Sequence, residues 1–474
     1  MSGAMKPGVA ARLIAARTLE KVDKEGAYAN LVLPRALRRE QNDNPRFSFR
    51  DAALASELVY GTVRQQALLD FVLGPHSSQP LSELDAPVLA ALRLGAYQIL
   101  FMRIPEHAAV SETVNVAKIT AGERPARFVN AVLRSLLREG KEDALARADN
   151  ISDPHARLAT VHSHPGWLVT AFEEALAARG IPEEELGDAL AANNVAAQVT
   201  LVARPGLITP AELAEEASDV LGQATIQGAL SPYALTMAGG DPGALPSVRS
   251  GVAAVQDEGS QFAALLLAEA PLEGPDKKWL DLCAGPGGKS ALLAAIGAER
   301  GVELVANEMN PARAQLVERS TQALSNVKVK VKDGTKLGMH GQFDRVLVDA
   351  PCLGMGSLRR RPESRWSHAP TDLDNLIPLQ ERLLDEGVRS AREGGLIAWV
   401  TCSPHPKETI AQVDRALRGG NLELVDAVEV ASNLTYDDLR LGTGGPIASK
   451  TVQLWPHRHG TDAMFIALME KRTQ

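Results

Sequence analysis

The chain has 474 residues, 45% of them hydrophobic and 23% charged, an ordinary globular balance in a chain too long for one core and suited to two or three domains. No apolar run approaches the roughly 18 residues of a membrane span, and Arg12 and Arg17 interrupt the first apolar stretch, so no secretory signal is read and a cytoplasmic protein is predicted. The formal charge is −8 and the cysteines number three, Cys283, Cys352 and Cys402, a set too sparse and odd for a disulfide framework and without zinc spacing, so no metal is expected.

Residues 1–140 predict helices throughout. Leu54, Leu58, Val59 and Val63 recur at helical spacing, as do Leu92, Ala96 and Leu100, and the pattern continues through Val110 to Ala117 and Phe128 to Leu137. This stretch carries 18 Lys and Arg against 14 Asp and Glu, a net of +4 where the remainder carries −12. A locally basic surface can hold phosphates on an acidic protein, although so small an excess shows little alone. Residues 143–165 are polar, and 167–250 mix short helices with strand-like runs such as Val199–Val202, a small α+β segment. From Gly251 strand-like runs alternate with helices: Trp279–Leu282, Glu303–Ala306, Val327–Val331, Val346–Val348 and Leu396–Val400. That alternation predicts a doubly wound, Rossmann-like α/β domain with a parallel sheet covered on both faces.

In the alternating region, Leu280 to Ser290 close one strand and open a helix through Cys283, Ala284, Gly285, Pro286, Gly287, Gly288 and Lys289. Glycines let a ligand approach the backbone, and the helix N-terminus presents N–H groups. The Gly-Lys-Ser ending is no phosphate loop, because Cys283 stands where the first glycine of that motif is required. Glu308 ends the next strand and can accept hydrogen bonds from ribose hydroxyls. Asp333 follows the third strand, placed to meet an adenine amino group, and Asp349 ends the fourth. Each alone could equally cap a helix.

Asp349-Ala350-Pro351-Cys352 and Thr401-Cys402-Ser403-Pro404 end the fourth and fifth strands, on the side of the sheet where the glycine turn lies. A thiolate is a strong nucleophile. Cytosine C5 becomes reactive only after addition at C6, and a base must then remove the C5 proton. Two thiols and a carboxylate suit that sequence of steps. Arg359, Arg360, Arg361 and Arg365, with Trp366, follow the fourth strand end and are predicted to grip phosphates and stack on a base. Lys328, Lys330 and Lys332 read as a solvated face as readily as an RNA contact, and His164 and His405, beside prolines in turns, read as structural.

These residues resemble the bacterial small-subunit rRNA cytosine-5 methyltransferases of the RsmB (Sun/Fmu) group. The resemblance rests on Asp281 to Lys289, Asp349 to Cys352, Thr401-Cys402-Ser403, and the run Gly356 to Glu363 with Arg365-Trp366. Val255 to Gln261, Arg127 to Leu133 and Ser163 to Leu168 extend it over nearly the whole chain. It implies a NusB-like helical RNA-binding domain over 1–142, a linker and small α+β RNA-binding segment over 143–250, and an S-adenosylmethionine-dependent methyltransferase domain over 251–474. It implies small-subunit (16S) rRNA as partner, S-adenosylmethionine as cofactor held by residues 283–289, Glu308, Asp333 and Asp349, and a monomer without metal or membrane. By resemblance, Cys402 would attack C6, Cys352 would help resolve the adduct, Asp349 would hold the cytosine edge, and Lys289 would touch the methionine end or the base. Glu308 departs from the family's usual Asp, and Gly460 to Phe465 lack a glycine and an aromatic of its pattern. The readings left beside this one are a tRNA or other RNA substrate, and an RNA-binding assembly or antitermination factor without catalysis. A DNA cytosine methyltransferase fits less well, because those enzymes use a Pro-Cys thiol without a Thr-Cys-Ser partner.

Overall fold

The computed structural model describes residues 7–435, 439 and 444–472. The chain divides into two compact units, one of residues 1–170 with 358–369, the other of 171–357 with 370–474. These are not the boundaries expected from sequence. The helical unit runs well past residue 142 and recruits a short segment from far along the chain.

The first unit is all helix: α1 (Pro7–Glu25), α2 (Ala29–Asp43), α3 (Phe49–Arg64), α4 (Gln66–Leu73), α5 (Ala86–Phe101), α6 (Glu106–Thr120), α7 (Glu123–Glu139), α8 (Lys141–Asp149) and α9 (Pro154–Val161). The periodic residues expected to form the core do so: Leu58, Val59, Val63, Leu92, Ala96, Leu100, Val110, Ala117 and Leu133 are all buried in one cluster. Ser48 starts α3 with a reciprocal capping box to Asp51, which satisfies two N–H groups the helix leaves open. A buried polar link ties α1 to α5, Arg12 Nε donating to Gln98 Oε1 at 2.7 Å.

In the second unit, the helices Gly166–Ala178 (from residue 171 on) and Leu186–Ala192 precede a four-stranded antiparallel sheet of β1 (Val199–Ala203), β2 (Thr225–Gln227), β3 (Ala234–Met237) and β4 (Ala253–Val255), in the order β2-β3-β1-β4. Helices Pro210–Leu221 and Pro246–Ser250 connect β1 to β2 and β3 to β4, so the expected α+β segment is a β-α-β-β-α-β unit. Its central strands, β1 and β3, are largely buried and hold no aromatic residue.

The larger sheet holds β5 (Lys278–Asp281), β6 (Glu303–Asn307), β7 (Val327–Lys330), β8 (Phe343–Asp349), β9 (Ala391–Thr401), β10 (Leu422–Val425), β11 (Val452–Gln453) and β12 (Phe465–Lys471). Its order is β10-β12-β9-β8-β5-β6-β7, with β11 on β12. Strands β5 to β9 pair in parallel, and β12 returns antiparallel against β9. Alternate residues feed opposite faces: Leu347, Ala398 and Val400 pack with helices Glu258–Glu269 and Gly288–Glu299. Val346, Val348, Ile397 and Trp399 pack with Leu373–Ser390 and Ile410–Leu417. Both faces are covered, as the near-continuous apolar runs predict. The chain leaves β5 toward β6 and β7, then crosses back to β8. This makes the carboxyl ends of β5 and β8 the switch point where such sheets bind ligands.

Candidate active site

Loops from four strand ends meet at that switch point. Asp281 closes β5 and is 1% exposed. Its Oδ2 accepts from Ser290 Oγ at 2.6 Å, on the first turn of the helix that follows. Burial pushes its carboxyl up to about 7, against the pull of the Ser290 hydrogen bond. Between the two lies the glycine turn. Gly287 has φ +109°, a region side chains rarely adopt, and a Cβ there would lie 2.7 Å from Ser320 Cβ. Burial raises the Cys283 thiol well above its ordinary range, and its side chain packs against the core below the turn.

Glu308 follows β6 and is 6% exposed. Its Oε1 accepts from Asn310 N at 2.9 Å, and Oε2 lies 3.4 Å from Arg313 Nη2. The extra methylene relative to Asp carries the carboxylate against the turn: a Cβ on Gly285 would meet Oε2 at 2.1 Å. Arg313 also donates to the Gly285 carbonyl at 2.7 Å. Asp333 caps the short turn Gly334–Lys336, Oδ1 accepting from Thr335 N and Oγ1; these hydrogen bonds hold its pKa down.

Asp349 ends β8, and its Oδ2 accepts from Lys289 Nζ at 2.7 Å. Burial alone would lower the Lys289 pKa, but Asp349 outweighs it and the ammonium is held above its ordinary range. Beyond Asp349, Cys352 Sγ stands 3.4 Å from Cys402 Sγ. Hydrogen bonding between the thiols separates their ionisation. Cys402 is lowered, first by that bond and further by Lys289, while Cys352 is raised by the same bond and by burial. The contact and the nearby Lys289 ammonium thus favour ionisation at Cys402 over Cys352. The segment 460–465, where the family pattern is departed from, reaches this site through the backbone: Gly356 N donates to Cys402 O at 2.8 Å, and Ala463 N donates to Gly356 O at 2.9 Å.

The sequence-predicted residues 283–289, Glu308, Asp349, Cys352 and Cys402 thus come together at one edge of the sheet. The arginine run does not. Residues 358–369 belong to the helical unit. Within it Arg365 is 0% exposed, donates to Ser163 O at 2.9 Å and Arg64 O at 3.3 Å, and is lowered by burial to about 9. Arg359 is also buried, and Trp366 is half-buried against the helical core. These three are corrected from RNA contacts to packing residues, because their side chains are turned into the helical unit, where Arg365 supplies donors to buried carbonyls and Trp366 packs on the core. Arg360 is half-buried, and Arg361 is exposed over the Tyr28 ring at 5.9 Å. Arg365→Ala is expected to lower stability by about 3 kcal/mol, since it strands buried carbonyls, with no change in RNA affinity per folded molecule. A thermal melt beside a binding isotherm separates the two.

Lys328 and Lys330 lie on the edge strand β7, with Lys332 just beyond its end, and Lys328 pairs with Glu303 at 3.1 Å, a common device against edge pairing. His164 and His405 are buried and structural: His164 lies 2.8 Å from its neighbour's His162 O, and His405 Nδ1 accepts from Lys407 N. Burial lowers both, His405 to about 4. Sequence reasoning missed Ser290, Arg313, Gln380 and Glu408 as parts of the site. Ser290 had a signal, in the first turn of the helix that follows a strand-ending Asp; Gln380 had none, since only tertiary packing brings it near Cys352. Among the described residues, no group of three or more His, Cys, Asp or Glu could hold a metal ion, and no helix is long and apolar enough to cross a membrane.

The sheet order and its switch-point pocket define a Rossmann-like methyltransferase fold, and comparisons with known proteins agree. Residues 268–470 match the family described as 16S rRNA methyltransferase RsmB/F, and residues 9–138 match the NusB family. A putative methyltransferase of Mycobacterium tuberculosis, Rv1407, is 43% identical over 98% of this chain and 97% of its own. The probable ribosomal RNA small subunit methyltransferase B of Bacillus subtilis is 30% identical over 97% and 98%. Among solved structures, that titled PH0851 matches with TM-score 0.78 at 21% identity, covering 99% of each chain. A methyltransferase homologue from Pyrococcus horikoshii matches with TM-score 0.55 at 19% identity, covering 68% of this chain and 100% of its own. The protein is an S-adenosylmethionine-dependent RNA methyltransferase. It belongs to the RsmB/F family, with a NusB-family helical domain ahead of the catalytic one.

Proposed function

We propose that this protein transfers a methyl group from S-adenosylmethionine to C5 of a cytosine in small-subunit rRNA, through a transient bond between Cys402 and C6. The observation that carries the reading is the 3.4 Å contact between the Cys352 and Cys402 sulfurs beside a Lys289–Asp349 pair. The names of the relatives at 30% identity support 16S rRNA as the substrate, and such a substrate puts the protein in the cytoplasm.

The residues fit the cofactor. Side chains at 285 or 287 would fill the turn, and the buried Asn307 Oδ1 and Gln256 Oε1 lack hydrogen-bond partners among the described residues. Residues 283–289, Glu308, Asp333 and Asp349 would hold S-adenosylmethionine, Glu308 at the ribose and Asp333 at the adenine. Bound there, it supplies an electrophilic methyl group. The chain's own residues do the rest. The Cys402 thiolate forms the bond to C6, and the ring electrons move to C5. Asp349, steadied by Lys289, hydrogen-bonds the cytosine edge as charge develops. Once C5 is methylated, its proton passes to the ionised Cys352 sulfur, the C5–C6 double bond re-forms, and the C6–S bond breaks to return the Cys402 thiolate. Cys352 assists this second half. While Cys402 is an anion it opposes a charge on Cys352; once bonded to carbon it no longer does, and Cys352 ionises more readily. A target base must leave its stack to reach Cys402.

Bisulfite sequencing of RNA from a deletion strain tests the assignment. One cytosine of small-subunit rRNA is expected to lose its modification and to regain it on complementation. Loss at a tRNA position instead would move the substrate, and no loss in any RNA would favour a binding factor without catalysis.

RNA affinity is assigned to the helical unit. A groove of about 600 Å³ between α1 and α2 is lined by Arg17, Lys21, Arg35 and Arg39 over Ile14 and Val32, with Glu40 and Asp43 at its edge. Replacing Arg17, Lys21 and Arg35 with Ala is expected to weaken RNA binding and lower the slope of log K against log salt by about 2. Cofactor affinity should stay unchanged. An unaltered slope would give the unit another task.

A further inference from the structure

We propose that Glu408 and Gln380 form a positioning pair that fixes the Cys352 loop against Cys402 and so sets the rate at which the covalent intermediate is released. The proposal rests on the two-thiol reading above. Cys352 sits in a loop with no regular structure of its own, between Pro351 and Leu353. Both of these neighbours are held by the same buried pair. Gln380 Nε2, on the helix Leu373–Ser390, donates to Pro351 O at 2.9 Å and to Glu408 Oε1 at 2.9 Å. Leu353 N donates to Glu408 Oε1 at 3.0 Å. Both side chains are 0% exposed, so the hydrogen bonds are shielded from water and constrain the loop strongly.

Glu408 also belongs to the other thiol's segment. It lies in the turn that follows Cys402, its N donating to His405 O at 2.9 Å, and its carbonyl accepts from the buried Trp399 Nε1 on β9 at 3.0 Å. One residue thus anchors the end of β9 through its backbone and the loop after β8 through its side chain. Removing its carboxylate frees the Cys352 loop without touching either sulfur. The Glu408 charge also helps hold Cys352 in the thiol form that donates to Cys402.

A misplacement of about 1 Å in a reacting group costs about 100-fold in rate. Release needs Cys352 in register, whereas attack needs only Cys402. Glu408→Ala is therefore expected to keep S-adenosylmethionine binding, to slow turnover about 100-fold, and to accumulate a protein–RNA species stable to denaturing electrophoresis. Glu408→Gln keeps an acceptor oxygen for Leu353 N–H and Gln380, and should restore most of the turnover. Gln380→Leu removes the donor to Pro351 O and should accumulate the same species, which serves should Glu408→Ala not fold. The double variant Glu408→Ala/Cys352→Ala should be no slower than Cys352→Ala, because the pair acts through that thiol. A folded Glu408→Ala or Gln380→Leu enzyme that loses attack and release equally, with no trapped species while Cys352→Ala traps one, overturns the proposal. If Cys352→Ala itself traps nothing, the two-thiol reading fails instead.

Discussion

Cys402→Ala is expected to abolish methylation, by at least about 10³-fold, and to leave no protein–RNA adduct, with cofactor affinity unchanged. Cys352→Ala is expected to behave differently: it should accumulate an adduct that survives denaturing electrophoresis and forms only with S-adenosylmethionine. The difference follows from the ionisation of the pair. Cys402 is lowered by the Cys352 hydrogen bond and by Lys289, so it attacks. Cys352 is raised while Cys402 is anionic, so it keeps its proton until the attack has used up that charge. Removing Cys352 also removes the hydrogen bond that lowers Cys402. The optimum for adduct formation should therefore move to higher pH in Cys352→Ala, because the attacking thiol then ionises later. An adduct trapped by Cys402→Ala, with Cys352→Ala silent, would reverse the roles. Full methylation by both variants would remove the covalent route.

The site was legible where chemistry and strand ends coincide. The turn 283–289, Glu308, Asp349, Cys352 and Cys402 are each within a few residues of a buried apolar run, and parallel strands bring their carboxyl ends to one edge whatever the loops do. The core of the helical unit was legible for the same kind of reason, since Leu58, Val63, Leu92 and Leu133 follow the 3.6-residue period. The arginine run was misread because composition suggested a surface. Arg365 satisfies the carbonyls of Ser163 and Arg64, partners some 200 and 300 positions away in the chain, and nothing local announces such a contact. The compact units depart from the expected domain limits for the same reason, as residues 358–369 pack with helices some two hundred residues or more before them. Gln380 and Glu408 carry no motif chemistry, and only packing shows that they hold the two neighbours of Cys352.

Gly287→Val is expected to remove S-adenosylmethionine binding, with a loss of affinity of at least about 100-fold by calorimetry. Two independent costs act at this position. The backbone has φ +109°, which a β-branched residue adopts only under strain of about 1–3 kcal/mol. The added Cβ would also fall 2.7 Å from Ser320 Cβ and 2.9 Å from Val317 Cα, and the second of these is backbone of the helix Pro311–Ser320 that cannot swing aside. The turn must therefore shift, and it carries with it Gly285, against which Glu308 rests, and the N-terminus of the helix that bears Lys289. Of the turn's buried neighbours, Ala284 and Val317 form a small cluster with Ala306, apart from the larger cores on the two faces of the sheet, so the variant should remain folded with a lowered melting temperature. Gly287→Ala, which meets the same backbone strain with a smaller side chain, should fall between wild type and Val. Wild-type affinity in a folded Gly287→Val protein would place the cofactor elsewhere on the sheet edge.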